Sequence, residues 1–305
     1  MKNLIILTGP TGIGKTEISL KLAEKFGCEI ISCDSMQIYK DLDIGTAKIS
    51  LDETNILHHM VDIVTPDENF SVAEFQDMTK KLITDINNRG KVPMLVGGTG
   101  LYINSIVYNL EFANTSQDFE YRNKLMDMAK DEDQDFLHNK LKKLNPKEAE
   151  KIHPNNHQRI IRALEISKNG EIKGSKFREE NNDYNLIYMA LNMDRQKLYE
   201  RINERVIKMI DMGLVDEAKY AIDKYNLTRD SQSMKAIGYK EIFDYLDDNY
   251  TLDEMIEEIQ KNSRHYAKRQ LTWFRRDSRI KWFEREDEKL IEEMEDYIGE
   301  RLERI

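Results

Sequence analysis

Four consecutive apolar residues, Leu4-Ile5-Ile6-Leu7, stand near the start of the chain and run straight into Thr8-Gly9-Pro10. A short unbroken apolar run ended by turn residues predicts a strand buried on both faces, the kind found in parallel sheets. The pattern recurs at Glu29–Cys33, Val92–Val96 and Leu186–Leu191. Between these runs the apolar positions follow helical spacing. Glu17–Lys25 reads as one helix. Phe70–Asn88 reads as another, with Ser71 as its N-cap and Val72, Phe75, Leu82 and Ile86 on its inner face. Leu101–Leu110 is the helix expected to leave the third strand. Strands alternating with helices predict an α/β fold with a parallel sheet.

The interval between the third and fourth strands is too long for one crossover. Residues 111–155 are charged and helical in pattern, with Leu125, Met128, Phe136, Leu137, Leu141 and Leu144 as apolar positions. They are expected to form a small helical insertion over the active site. The core is then residues 1–110 and 156–305, with the helix His157–Asn169 returning to it. Amphipathic helices follow the fourth strand to the end, with no internal repeat and no low-complexity linker.

The first strand delivers the chain into Gly9-Pro10-Thr11-Gly12-Ile13-Gly14-Lys15-Thr16, a G-x-x-x-x-G-K-[ST] phosphate loop in its required strand-to-helix setting. Its glycines let successive N–H groups turn inward onto a polyphosphate. Lys15 adds a mobile cation. Thr16 offers a hydroxyl to Mg²⁺ at a helix N-terminus that itself favours anions. A hydrolytic engine would also need a strand ending in a metal-holding Asp. The third strand ends instead in Gly97-Gly98-Thr99-Gly100. The well-placed acid is Asp34, at the tip of the second strand in Asp34-Ser35-Met36-Gln37. That arrangement reads as group transfer. Asp34 is placed as general base, and Gln37 carries an amide able to read a base edge. The same segment also fits an ordinary surface loop, and the glycine cluster fits either close ligand approach or a plain turn.

Cationic residues fall into three groups. Arg159 and Arg162 share a helix face and could clamp phosphates or simply pair with Glu165. Arg201 and Arg205 are four residues apart, and either could reach a leaving phosphate. From Lys261 to Lys281 there are eight basic residues and one acidic one, interleaved with Tyr266, Trp273 and Phe274. Arg264, Lys268, Arg275 and Arg279 recur there near helical spacing, a pattern that suits a nucleic-acid backbone with an unstacked base. The alternative is a basic helix neutralised by the acidic tail from Glu284, with Trp273 and Phe274 in the core. His58-His59 are adjacent, so they do not share a face and read as structural.

Composition changes this picture little. The net charge of −10 excludes indiscriminate nucleic-acid binding but not a local basic stripe. Two cysteines, Cys28 and Cys33, fit a reduced interior. The N-terminal apolar run is too short for a signal peptide, and no stretch is long enough to span a membrane. A soluble, cytoplasmic protein is expected, without membrane association and as a monomer.

The segments GPTGIGKT, DSMQIYKDLDIGTAK, HHMVDI, GGTGLYI, QRIIRALEI, MKAIGYKE and YAKRQLTWFR stand in one order over nearly the whole chain. Together they closely resemble the bacterial tRNA dimethylallyltransferase (isopentenyl-tRNA transferase) family. The resemblance implies a P-loop kinase-like parallel sheet flanked by helices, with a helical insertion. It implies transfer of a dimethylallyl group from dimethylallyl diphosphate to N6 of the adenosine next to the tRNA anticodon on its 3′ side (adenosine-37), with Mg²⁺ and release of diphosphate. Carried over by motif, Asp34 is the base, and residues 9–16 with Lys15, Thr16 and Arg205 attend the diphosphate. Asp34, Ser35, Met36, Gln37, Thr99, Arg122, Gln158, Arg159, Ile160, Ile161, Arg162, Lys235, Lys240 and Lys268 are the expected tRNA contacts. Two positions depart from the family pattern: Asp41 stands in place of a usual Gly and Ile49 in place of a frequent Pro. The alternative on the same core is a small-molecule or nucleoside kinase, which has no need of the C-terminal basic helix. A nucleotide-gated RNA binder without catalysis is a further alternative, against which Asp34 argues.

Overall fold

In the computed structural model, which describes residues 1–50, 54–110, 112, 119–129, 135–168 and 179–302, alternate strand residues are dealt to two faces of one sheet. The strands are β1 (Lys2–Thr8), β2 (Cys28–Ser32), β3 (His58–His59), β4 (Val92–Gly97), β5 (Tyr184–Asn192) and β6 (Lys281–Glu284). Their order is β3-β2-β4-β1-β5-β6, and every pairing is parallel. Leu4 and Ile6 pack on one face with Ile31, Leu95 and Tyr188; Ile5 and Leu7 pack on the other with Ile30, Met94 and Met189. All four residues of the Leu4–Leu7 run are fully buried, which removes about 1.5–3 kcal/mol per side chain of unfavourable hydration.

The first face is covered by α2 (Val72–Asn88), α3 (Gly100–Val107), α9 (Leu214–Tyr225) and α10 (Tyr239–Leu246). The second is covered by α1 (Lys15–Phe26) and α12 (Leu290–Leu302). Two long helices, α8 (Arg195–Asp211) and α11 (Leu252–Phe274), reach both layers: Val206 and Phe274 belong to the first, Ile202 and Ala267 to the second. Ser71 caps α2 as the sequence predicts, with Glu74 completing a reciprocal capping box.

Two strands are absent from the sequence expectations. β3 is the His58-His59 pair itself, added in register to Ile30 and Ile31. Two residues are too few to show an alternating pattern. The histidines are structural, as expected. His58 Nδ1 lies 2.8 Å from the Ile56 carbonyl, and His59 Nε2 lies 2.8 Å from Glu29, whose carboxylate also takes the Arg89 guanidinium. Those partners, Arg89 foremost, hold the Glu29 carboxyl down at about 2. β6 lies between the basic helix and the acidic tail, where charge masks its short apolar core, Trp282-Phe283.

The chain divides into two compact units, residues 1–108 with 180–305, and residues 109–179. The second unit thus extends beyond the expected 111–155. It contains α4 (Phe119–Met128), α5 (Phe136–Leu144), α6 (Pro146–Ala149) and α7 (His157–Lys168). The expectation that the last of these returns to the core is corrected: Ile160, Ile161 and Leu164 pack with Leu125, Leu137, Leu141 and Ala149. Of the apolar positions named from the sequence, Met128 and Leu144 are exposed. Glu111 and Asn169, ends of the expected segments, lie outside the described residues.

Candidate active site

The strand order decides the layout of the site. β4 separates β1 from β2, so the phosphate loop after β1 and Asp34 after β2 stand on either side of the loop after β4, all at the carboxyl edge where α/β sheets bind ligands. Gly14 caps α1 in a left-handed conformation (φ 94°) and contributes no side-chain cap. The first-turn N–H groups are therefore not tied to a side chain and suit an anion. Lys15 Nζ donates to the carbonyls of Gly9 (3.0 Å) and Pro10 (2.9 Å), two of its three donor positions. Burial, and then the charge of Arg205, lower the Lys15 ammonium to about 8, with Asp34 opposing. Thr16 is exposed at the start of α1.

Asp34, Ser35 and Met36 line a cavity of about 340 Å³ together with Thr11, Arg205, Lys235, Lys240, Tyr266 and Arg269. Ile202, Val206, Met209, Leu214 and Ile259 give it an apolar wall. One Asp34 carboxylate oxygen accepts from Met36 N–H at 2.9 Å, which fixes the turn and leaves the other oxygen for a ligand. Thr99 holds the next residue: its hydroxyl accepts from Ser35 N–H at 3.1 Å, while its own N–H donates to the Cys33 carbonyl at 3.1 Å. The two arginines of α8 stand on different sides of the phosphate loop. Arg205 faces the cavity, and burial lowers its pKa. Arg201 donates instead to the Gly12 carbonyl (3.1 Å) and lines a different cleft.

Several expected contacts are placed otherwise. The Gln37 amide braces its own loop, accepting from Ser32 Oγ (2.7 Å) and donating to the Thr46 carbonyl (3.2 Å). Ile160 and Ile161 point into the core of the helical unit, and their side chains are closed to any ligand. Arg122 (2.8 Å) and Arg162 (2.5 Å) converge on the buried Glu165 carboxylate, which answers their charge locally. Gln158 and Arg159 are exposed on α7.

The basic helix is also only partly as expected. Arg264 donates to Asn203 (2.6 Å) and Arg279 pairs with Asp277 (2.6 Å). Lys268, Arg269, Arg275 and Arg276 are exposed. Trp273 is partly buried against Gly100, and Phe274 is buried and offers no stacking face. Tyr266 lines the cavity, and burial, helped by the Asp34 charge, pushes its phenol up to about 12. Tyr266, expected as an aromatic of the basic helix, thus turns into the cavity, while Arg269 and Gln270 are residues of the site that the sequence expectations pass over. Their signal, had it been used, is the inward-facing spacing within Tyr266-Ala267-Lys268-Arg269-Gln270.

Residues 37–277 match the family described as IPP transferase. The chain belongs to that family. It is 47% identical over 310 residues to the tRNA dimethylallyltransferase of Halalkalibacterium halodurans, covering 99% of this chain and 98% of that one. The crystal structure of a full-length tRNA isopentenylpyrophosphate transferase from Bacillus halodurans matches with a TM-score of 0.75 and 46% identity, over 100% and 98% of the two chains. A eukaryotic dimethylallyltransferase acting on tRNA matches with a TM-score of 0.79 and 29% identity, over 99% of this chain and 78% of that one. A parallel sheet flanked by helices is thus the fold of a family of prenyl-transferring enzymes. No helix among the described residues is long and apolar enough to cross a membrane.

Proposed function

We propose that this enzyme transfers a dimethylallyl group from dimethylallyl diphosphate to N6 of the adenosine adjacent to the tRNA anticodon on its 3′ side, releasing diphosphate. One observation carries the proposal: Asp34 and Arg205 share a cavity immediately beside the phosphate-loop lysine, whose charge both of them feel. An acceptor-side carboxylate and a leaving-group cation so placed suit one displacement between them.

The exocyclic amine of adenine is a weak nucleophile, because its lone pair is shared with the ring. Asp34 accepts the N6 proton as the new C–N bond forms. The allylic carbon tolerates positive charge as the C–O bond to diphosphate lengthens. The negative charge gathering on the diphosphate falls to Lys15, Arg205 and the N–H groups at the start of α1, already aimed before reaction. The apolar wall from Ile202 to Ile259 suits a hydrocarbon and excludes water from the carbon centre. Among the described residues no group of three His, Cys, Asp or Glu could hold a metal. The exposed Thr16 hydroxyl nevertheless fits Mg²⁺ of the kind held by one protein oxygen, substrate phosphate oxygens and water. When bound, that ion would supply further positive charge to the leaving group.

The test is incubation of labelled dimethylallyl diphosphate with unmodified tRNA in the absence of nucleoside triphosphate, beside a labelled-ATP control. Labelled tRNA without ATP is the expected outcome. Phosphate transfer from ATP, with no prenylated RNA, would establish the kinase alternative.

A further inference from the structure

The buried face of α11 holds the two halves of the site together. Gln270 is 6% exposed, and both ends of its carboxamide are used. Its Oε1 accepts from Thr11 N–H in the phosphate loop at 2.8 Å. Its Nε2 donates to the Gly98 carbonyl, in the loop after β4, at 2.9 Å. A side chain at Gly98 would occupy the place of that Nε2, so the glycine is what admits the amide. Thr99, the next residue, carries Ser35 and hence the Asp34 turn. One turn back on α11, Tyr266 lies beside Thr99 and Gln270 and lines the cavity. Gln270 is thus one buried amide with the donor side on one end and the acceptor side on the other.

We infer that Gln270 is a positioning residue that sets the distance between the phosphate loop and the Asp34 loop, and that this distance decides whether the allylic carbon is captured by the RNA amine or by water. The inference rests on the functional reading above. In the productive step the N6–carbon bond forms, the carbon–oxygen bond to diphosphate breaks with its electron pair leaving on diphosphate, and the N6 proton passes to Asp34. In the competing step a water oxygen bonds to the same carbon, the same carbon–oxygen bond breaks, and a proton passes to solvent, giving dimethylallyl alcohol. Both steps release one diphosphate. Only the first needs the amine held in line, and a misplacement of about 1 Å there costs on the order of 10²-fold in rate.

The experiment measures diphosphate released per prenylated tRNA, with kcat, donor KM and tRNA Kd, for wild type, Gln270→Met and Gln270→Glu. Methionine keeps the length and loses both hydrogen bonds. Glutamate keeps the acceptor facing Thr11 and loses the donor to Gly98. Wild type is expected to release one diphosphate per transfer. Gln270→Met is expected to lose about 10²-fold in kcat, with donor KM and tRNA Kd little changed, and to release diphosphate in excess of product as dimethylallyl alcohol. Gln270→Glu is expected to fall between the two, and it decides the matter alone if the methionine variant does not fold. A ratio of one in every active variant, or a loss confined to donor KM, overturns the inference while the functional reading stands. A wild type that prenylates no RNA overturns the functional reading and the inference with it.

Discussion

At the scale of single residues, the acids and cations of the site do work that their local contacts predict. Asp34→Asn retains the oxygen that accepts from Met36 N–H, so the turn survives while the proton acceptor is lost. Turnover is expected to fall by about 10²–10⁴-fold with donor binding intact, and near-normal turnover in the purified variant would remove Asp34 from the chemistry. Lys15 gives a pH signature. Its folded pKa of about 8 lies below the ordinary 10.5 because the ammonium is buried near Arg205. A bound diphosphate favours the charged form and raises that pKa again. Above pH 8, donor binding must therefore take up a proton, and donor affinity should fall as pH rises through this window. Calorimetric titration in two buffers of different ionisation enthalpy reads the uptake directly. No uptake at pH 9 would show that Lys15 is already charged before the donor binds, and uptake that persists in Lys15→Met would show that another group titrates. Asp41, expected from the resemblance to stand in place of a Gly, occupies backbone that suits one. It sits at φ 59°, where glycine is most at ease, and its carboxylate offsets the strain by binding Lys224 (2.7 Å) and Tyr225 (2.6 Å). Residue positions of this kind are legible in sequence only when they are tied to a strand end, as for Lys15 and Asp34. The bracing of Gln37 by Ser32 and Thr46 is not legible in sequence, because those partners meet it only once the loop has closed.

At the scale of elements, α11 presents different faces to different tasks. Ala267, Gln270 and Phe274 are buried, whereas Lys268, Arg269, Arg275 and Arg276 are exposed. The sequence shows the charge plainly, but charge density alone does not separate the side chains already answered by a neighbour. Arg264 and Arg279 are so answered, by Asn203 and Asp277. The exposed set is expected to meet tRNA phosphates, each contact contributing a salt slope of about −0.7 to −0.9. Lys268→Ala or Arg275→Ala should flatten the salt dependence of tRNA binding by about one such unit and leave donor KM unchanged. Arg159→Ala, on the exposed face of α7, should do the same. Titrations with wild-type slopes in all three variants would place the RNA path on another surface. Elements that pack through long apolar stretches, such as β1 and α2, are found where the sequence predicts them. β3 and β6 are missed because two to four residues carry no period; they exist through hydrogen bonding to strands already in place.

At the scale of the whole molecule, the division between units was legible as an interval too long for one crossover, but its boundary was not. α7 carries the same amphipathic pattern whether its apolar side meets a sheet or other helices, and only the packing of Ile160, Ile161 and Leu164 shows which. The helical unit therefore takes in residues on both sides of the expected limits. That placement bears on how the protein is made. β1 is synthesised before the other five described strands, yet it ends in the middle of the sheet, flanked by β4 and β5. Its β5 edge stays unpaired until Asn192 has been synthesised, and the guest unit lies entirely within the wait. At about 5–20 residues per second, the stretch from Gly97 to Asn192 takes roughly 5–20 s. Throughout that time the most apolar edge of the nascent sheet, Leu4 to Leu7, is open to any other strand. The interval that gives the enzyme its second unit is also the period in which the central strand of a half-made chain lacks one of its two neighbours.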